Sequence, residues 1–252
     1  MKIKREKILN LILPLTTIIA LFLIWGVISI KVGSEYILPS IKRTAEEFFA
    51  LFKNKDFYLS FLNSILRSLI AFVISFGLAF LLALLSNKVK FARGLISPII
   101  SIMRALPTIA IVLLLLFWTD SKIAPVIVTT IVVLPTSFTH IDSSFFSIDK
   151  SVIEAGRVDG ADERALFLSV ELPQLFPAIY SGIGSGISLN FKLMVAAEVI
   201  SQTANSIGFM LNTSKVYFET ARMLAIVCFA VIFGVIVESV FNALSKKAGE
   251  WK

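Results

Sequence analysis

Apolar residues run in six long blocks along this 252-residue chain, and the stretches between them hold most of its charges. The blocks are Leu9–Ile30, Leu59–Leu85, Leu95–Phe117, Ile123–Thr139, Leu172–Ile200 and Met223–Phe241. A helix needs about 20 mainly apolar residues to cross hydrocarbon ~30 Å thick. Lipid offers no partners to backbone polar groups, so each block is predicted as a membrane-spanning helix. The fourth is short, with Pro125 and Pro135 blurring its ends, and Asn190, Lys192 and Glu198 interrupt the fifth. The expected fold is an all-α integral membrane protein with six transmembrane helices, forming one domain over residues 1–252.

Two connecting stretches are too long to be simple turns. In the first, the segment 40–53 places Ile41, Ala45, Phe48 and Phe52 on one face of a short amphipathic helix. Thr44 and Glu47 have capping-box spacing at its start. Such a helix either lies on the membrane surface or offers a docking face to an external partner. The second stretch, residues 140–171, is the most polar part of the chain, yet Val152, Ile153, Val158, Ala161, Ala165, Leu166 and Leu168 recur within it. It is predicted as short helices, part buried and part wet, and long loops of this kind are often functional.

Composition agrees with the pattern. The chain is 57% apolar and 16% charged, against about 45–50% and ~25% for soluble domains. That excludes disorder, a disulfide scaffold and an ordinary soluble enzyme. A single Cys (Cys228) and a single His (His140) cannot form an internal disulfide or a typical zinc site. Although the net charge is +7, no basic face alternates with aromatics, so nucleic acid is not an expected partner; membrane lipid is.

The positions of the cations set the expected orientation. Lys2, Lys4, Arg5 and Lys7, with Lys88, Lys90, Arg93, Lys150, Arg157, Arg164, Lys246, Lys247 and Lys252, fall on one side. The other side holds fewer: Lys31, Lys42, Arg43, Lys53, Lys55, Lys122, Lys215 and Arg222. The positive-inside rule then places both termini and the 140–171 loop in the cytoplasm. Lys2-Ile3-Lys4-Arg5 looks like the start of a signal peptide, but the apolar run behind it is too long and no small-x-small site follows, so a retained helix is expected.

Within the inner loop the chain reads Glu154-Ala155-Gly156-Arg157-Val158-Asp159-Gly160-Ala161, then Val170-Glu171-Leu172-Pro173, then Pro177 and Gly182. This resembles the EAA loop of permease subunits from binding-protein-dependent ABC importers: Glu-Ala-Ala, a Gly four residues later, then aliphatic-x-Leu-Pro. Gly156 replaces the second Ala, and Val170 stands where Ile is usual. The similarity extends over about Leu59–Leu244. Asn63-Ser64-Ile65-Leu66-Arg67, Arg104-Ala105-Leu106-Pro107, and Ala197-Glu198 followed by Ile207-Gly208 look like further family segments. The nitrate/sulfonate/taurine subgroup is the most similar.

The resemblance implies a type I ABC importer permease fold with a cytoplasmic coupling helix between spans four and five. Glu154, Ala155, Gly156, Arg157, Gly160, Ala161, Leu172 and Pro173 would serve coupling to a separate ATPase. The residue types suit this role. Ala155 and Gly156 let a partner approach closely, Gly160 allows a sharp turn, and Pro173 is tolerated in a helix's first turn. Glu154 and Arg157 have the spacing of a helical ion pair.

The resemblance also implies a permease homodimer, two ABC ATPase subunits, an external binding protein and a bacterial inner-membrane location. No Gly-x-x-x-x-Gly-Lys-Ser/Thr loop occurs in the chain, so ATP and Mg would sit on the partner, and no cofactor or catalytic residue is expected here. The implied cargo is a small anionic or heterocyclic solute. Two other readings compete: a stand-alone secondary transporter driven by an ion gradient, for which no repeat between the halves is evident, and a membrane enzyme, for which the sequence offers no His-rich metal cluster and no Ser/His/Asp set.

Charges inside a membrane face protein or water. Arg67 and Arg104 could each line an anion path or pair with an acidic residue. Arg104, Lys192 and Glu198 are candidates for the translocation path, with snorkelling the simpler reading for the last two. Gly182 and Gly186 have close-packing spacing, serving either contacts within the chain or a dimer contact near the path. His140 reads as an interfacial hydrogen-bonding group or a pH switch.

Overall fold

The structure is a computed structural model that describes residues 2–249. Of the inner cations named above, Lys252 and the side chains of Lys2, Lys4, Arg5, Lys7 and Lys90 lie outside the described part. Every regular element among the described residues is helical: α1 (Lys2–Val32), α2 (Ile41–Leu51), α3 (Lys55–Lys88), α4 (Lys90–Ala105), α5 (Thr108–Leu115), α6 (Ala124–Phe145), α7 (Lys150–Val158), α8 (Glu163–Leu166), a π-helical turn (Phe167–Glu171), α9 (Leu172–Ser201), α10 (Ile207–Val216) and α11 (Thr220–Gly249).

Among the described residues, four helical runs are long and apolar enough to cross a membrane: Lys55–Lys88, Ala124–Phe145, Glu163–Ser201 and Thr220–Lys247. The third predicted span, Leu95–Phe117, is not straight. It breaks into α4 and α5 at an 88° bend. The cause is Pro107, which pushes the preceding residue out of the helical region. Leu106 accordingly adopts φ −69°, ψ 128°. Pro135, expected near a span end, instead sits inside α6, which runs on to Phe145. His140 is therefore a helix residue, not a terminus.

The inner loop is also shorter than residues 140–171. Pro173 sits in the first turn of α9, as expected, although α8 and the π-turn lead into that helix without a break. The helical run begins at Glu163, and the turn before Pro173 widens so that the Leu172 amide donates to the Phe167 carbonyl, five residues back. π-turns of this kind often mark functional sites.

Contacts divide the chain into two compact units: Met1–Tyr58 with Met210–Phe229, and Leu59–Phe209 with Ala230–Lys252. In the first unit α1 and α2 are joined by Trp25 Nε1 donating to Pro39 O (3.1 Å) and Ser29 Oγ donating to Leu38 O (3.2 Å). The amphipathic helix forms, but with a different buried face. Thr44 and Leu51 are buried while Ala45 and Phe52 are exposed. Its N-cap is Ser40, whose hydroxyl accepts from the Arg43 amide, not Thr44. Phe48, Phe52, Phe57 and Phe229 pack edge-to-face beside it.

The second unit is organised by α3. Besides Phe57 and Phe72, its buried positions are small: Ser60, Ser64, Ser68, Ala71, Ser75, Ala79, Ala83 and Ser86 are buried at steps of three and four, a helical period. Small residues let membrane helices approach closely, since apolar burial drives nothing between helices in lipid. Leu62, Leu66, Ile70, Val73 and Leu81 lie exposed on the other side of the same helix, as a lipid-facing surface requires. Ala79 and Ala83 of α3 pack with Ile96 and Ile100 of α4 and with Leu134, Phe138 and Ile141 of α6. Val112 of α5 packs with Val128 of α6 and Ala197 of α9.

The α9 glycines are contact positions within the chain. A Cβ on Gly184 would run into Phe241, and one on Gly186 would lie 2.7 Å from Phe72. Of the two readings open for Gly186, the intrachain one accounts for the residue.

Candidate functional site

The residues of the EAA-like segment form a helix–turn–helix. Asp149 caps α7, its carboxylate accepting from the Ser151 amide at 2.9 Å. The C-terminus closes in a Schellman arrangement, with Gly160 N donating to Arg157 O (3.1 Å) and Ala161 N to Gly156 O (3.0 Å). This geometry needs a left-handed residue after the cap, and Gly160 has φ +83°. Asp162 then caps α8 by accepting from the Ala165 amide at 2.6 Å. The predicted sharp turn at Gly160 is thus where two short helices meet.

Two local expectations change. Arg157 pairs across the turn with Glu163 (Nη2 to Oε1, 2.8 Å), not with Glu154 along the helix. The reach across the turn gives its guanidinium two bonds to one carboxylate, the second from Nε at 3.0 Å. Gly156 serves the chain itself, because a Cβ there would lie 2.6 Å from Leu166 Cδ2, and Leu166 is the buried anchor of the motif. No residue of α7 is buried. Val152, Glu154, Ala155, Val158 and Ala161 are all exposed, Val158 by 88%.

Ion pairs tie this motif to longer helices. Lys88, at the end of α3, bonds both oxygens of Glu171 in the π-turn at 2.9 Å and lies over the Phe167 ring. The Asp149 amide donates to Gln174 Oε1 of α9 (2.9 Å). Arg93 of α4 and Asn87 of α3 both donate to Asp142 Oδ1 of α6, at 2.8 and 2.7 Å. Leu172 and Pro173 belong to the α9 side of this junction.

The intramembrane charges separate into two kinds. Glu198 has no exposure, and both its oxygens are occupied. Oε1 takes Arg67 Nε (2.9 Å) and Nη2 (2.9 Å), while Oε2 takes Ser64 Oγ (2.7 Å) and the Gly208 amide (3.3 Å). Ser64 Oγ in turn accepts from the Ile207 amide (3.0 Å), and Ser206 Oγ from the Phe209 amide (2.9 Å). The unpaired amides that open α10 are thereby satisfied, and a carboxylate sits where the helix dipole favours one. Gly208 is required by this closeness, since a Cβ would meet Glu198 Cβ and lie 2.6 Å from the Val199 nitrogen. For Arg67 the pairing alternative is the one realised, and Glu198 is a structural partner with no free oxygen to offer a solute.

Arg104 and Lys192 differ from that pair. Arg104 Nη2 donates to Thr139 Oγ1 at 2.5 Å and has no acidic partner among the described residues. Lys192 is exposed and makes no hydrogen bond or ion pair among them. Gly182 lies beside the His140 ring, 3.7 Å from Nδ1 to where its Cβ would stand. Sequence reasoning missed the small-residue stripe of α3, whose signal was serines and alanines at helical spacing inside an apolar block.

The profile of the binding-protein-dependent transport system inner membrane component family matches residues 75–250. A probable ABC transporter permease protein of Brucella abortus is 23% identical over 166 residues, 65% of each chain. The taurine transport system permease protein TauC of Escherichia coli is 26% identical over 163 residues, 63% of this chain and 58% of that one. The matched region thus spans less than two thirds of those relatives' length. A crystal structure of a bacterial ABC transporter involved in import of the acidic polysaccharide alginate superposes with a TM-score of 0.60 at 18% identity, over 98% of this chain and 97% of that one; the likeness shows a shared fold. The chain belongs to the binding-protein-dependent transport system inner membrane components, the family of ABC transporter permeases.

Proposed function

We propose that this protein is the permease subunit of an ATP-driven importer, working as a homodimer with two ATPase subunits and an external binding protein. Its path would carry a small anionic or heterocyclic solute by alternating access. The single observation that carries this reading is the α7–Gly160–α8 motif. It is rigidly capped, it is anchored by Leu166, and it exposes Val152, Ala155 and Val158 with no covering element among the described residues. Apolar side chains held out on a preorganised helix are what a partner's groove takes up.

In this reading the termini and the motif lie in the cytoplasm, and the spans number six, with the bent α4–α5 pair as one and α1 as the first. Lys88–Glu171 and Asp149–Gln174 pass a push on α7 into α3 and α9. The ATPase holds ATP and Mg; this chain converts its closure into helix movement. Glu35, Arg43, Glu47, Glu219 and Arg222 line a charged basin of about 530 Å³ in the first unit, suited to a binding protein.

The test is co-purification with the ATPase after two kinds of change. Gly160→Val forces a β-branched residue into positive φ, at about 1–2 kcal/mol, and distorts the motif. Val158→Glu alters only an exposed side chain. Both are expected to insert normally and to lose ATPase association; normal association of both would end the reading.

A further inference from the structure

One flank of the α9–α11 seam carries two opposite charges that no residue of the chain neutralises. We propose that a second copy of the chain docks on this flank, with Lys192 of each copy paired to Glu238 of the other across a two-fold axis. This rests on the homodimer of the reading above and assigns the residues that join it.

α9 and α11 run antiparallel. Gly184 of α9 meets Phe241 and the Glu238 carbonyl, whereas Ser188 and Lys192, later on α9, meet Gly234, earlier on α11. The seam has two unlike flanks. On one, Phe233 packs edge-to-face against Phe61 and Phe191. On the other, the Lys192 stem lies over Gly234, its Cε 3.4 Å from where a Cβ would stand. Glu238 follows Gly234 by four residues, one turn along the same face. Lys192 is exposed and Glu238 half-buried, and neither makes a hydrogen bond or ion pair among the described residues.

Both charges lie deep in their helices. Lys192 is nine residues short of Ser201, where α9 ends, and Glu238 eight short of Lys246. At 1.5 Å per residue these are depths of about 14 and 12 Å. Each side chain leans toward the N-terminus of its own helix, away from the nearer end. Snorkelling is thereby opposed, and the two heads are brought toward one depth.

A charge so placed faces protein or water, and its neighbours select protein. Val231, Val235, Glu238 and Asn242 form an exposed stripe at steps of four, three and four, the spacing of a helix packed against a helix. Lipid offers nothing to Glu238 and Asn242, and water offers nothing to the valines. A second copy supplies both the apolar surface and the missing counter-charge. A two-fold axis along the membrane normal conserves depth, so Lys192 of each copy arrives level with Glu238 of the other. The contact is self-complementary, as an isologous interface must be.

The test uses full-length chains bearing two different affinity tags, co-expressed, extracted in mild detergent and captured in tandem. The readout is the yield of doubly tagged dimer per inserted chain. Lys192→Glu in both copies, or Glu238→Lys in both, sets like charges across both contacts and is expected to lower the yield about tenfold. Pairing a Lys192→Glu copy with a Glu238→Lys copy restores both contacts between chains while leaving like charges within each. That mixture is expected to return to within about twofold of wild type, a recovery that also shows both variants fold. Failure of the mixture to recover overturns the proposal. So does recovery only when one chain carries both substitutions, which would make the pair internal. Single variants with unaltered dimer yield overturn it too, even where uptake falls, since the charges would then line the path. Wild-type copies that do not capture each other sink the homodimer reading itself; wild-type dimers indifferent to these charges sink the pairing alone.

Discussion

The Glu198–Arg67 pair permits a quantitative test of what holds the second unit together. Glu198→Ala removes a wholly buried carboxylate that serves Arg67, Ser64 and the Gly208 amide. Stranding Ser64 Oγ and the Gly208 amide costs about 1–3 kcal/mol each. Arg67 is partly relieved, because its side chain is 16% exposed and keeps the Asn205 carbonyl at 3.4 Å. Removing one member of a buried pair typically costs about 3–5 kcal/mol, and the contacts here place Glu198→Ala within that range. Arg67→Met leaves the Glu198 charge buried with two neutral donors and falls in the same range. Combining Glu198→Ala with Arg67→Met removes the uncompensated charge, so the double variant is expected to lose about 2 kcal/mol less than the two singles summed. The assay is thermal unfolding in detergent, followed by a thiol-reactive dye at Cys228, the only cysteine. At about 2–4 °C per kcal/mol for a chain of this size, each single variant should fall by roughly 10 °C. Single shifts under about 3 °C, or a double shift equal to their sum, would refute the reasoning.

Other outcomes follow from the same contacts. Gly208→Ala should destabilise by about 1–3 kcal/mol through overpacking, while Gly94→Ala, where a Cβ meets nothing within 4 Å, should be neutral or stabilise by up to ~1 kcal/mol; the same melting assay separates them. Lys88→Met should cost under about 1 kcal/mol, because the lysine is 41% exposed, yet lower ATP-driven uptake in proteoliposomes by untying α3 from the π-turn; unchanged uptake would deny the tie a mechanical role. Asp149→Ala removes the α7 cap, worth about 1 kcal/mol, and should speed exchange of the Ser151 amide roughly fivefold by hydrogen-exchange mass spectrometry.

Local signals carried particular elements well. The turn at Gly160 was legible because a glycine after a short amphipathic run has few other uses, and the structure shows the positive φ. The Ala197-Glu198 and Ile207-Gly208 segments were recognisable as a pair, but not why: the carboxylate joins them through Ser64 and Arg67, well over a hundred positions away. The break at Pro107 was readable in principle, and the long, mainly apolar block around it hid the signal. The Glu154–Arg157 pairing failed because spacing along a helix says nothing of a rival across the turn. The α2 face was misread by one position, since Thr44, polar by type, is buried there.

The sequence by itself determined that this chain lives in a membrane and builds helices there, because hydrocarbon leaves a backbone no other way to satisfy its polar groups. It also determined the family, through short motifs whose residues must be small, flexible or without an amide hydrogen. Only the tertiary structure decided which charges are partners and which are free. In a low-dielectric interior a charge is defined by what stands opposite it, and for Arg67, Glu198, Lys88 and Glu171 that neighbour comes from a distant part of the chain.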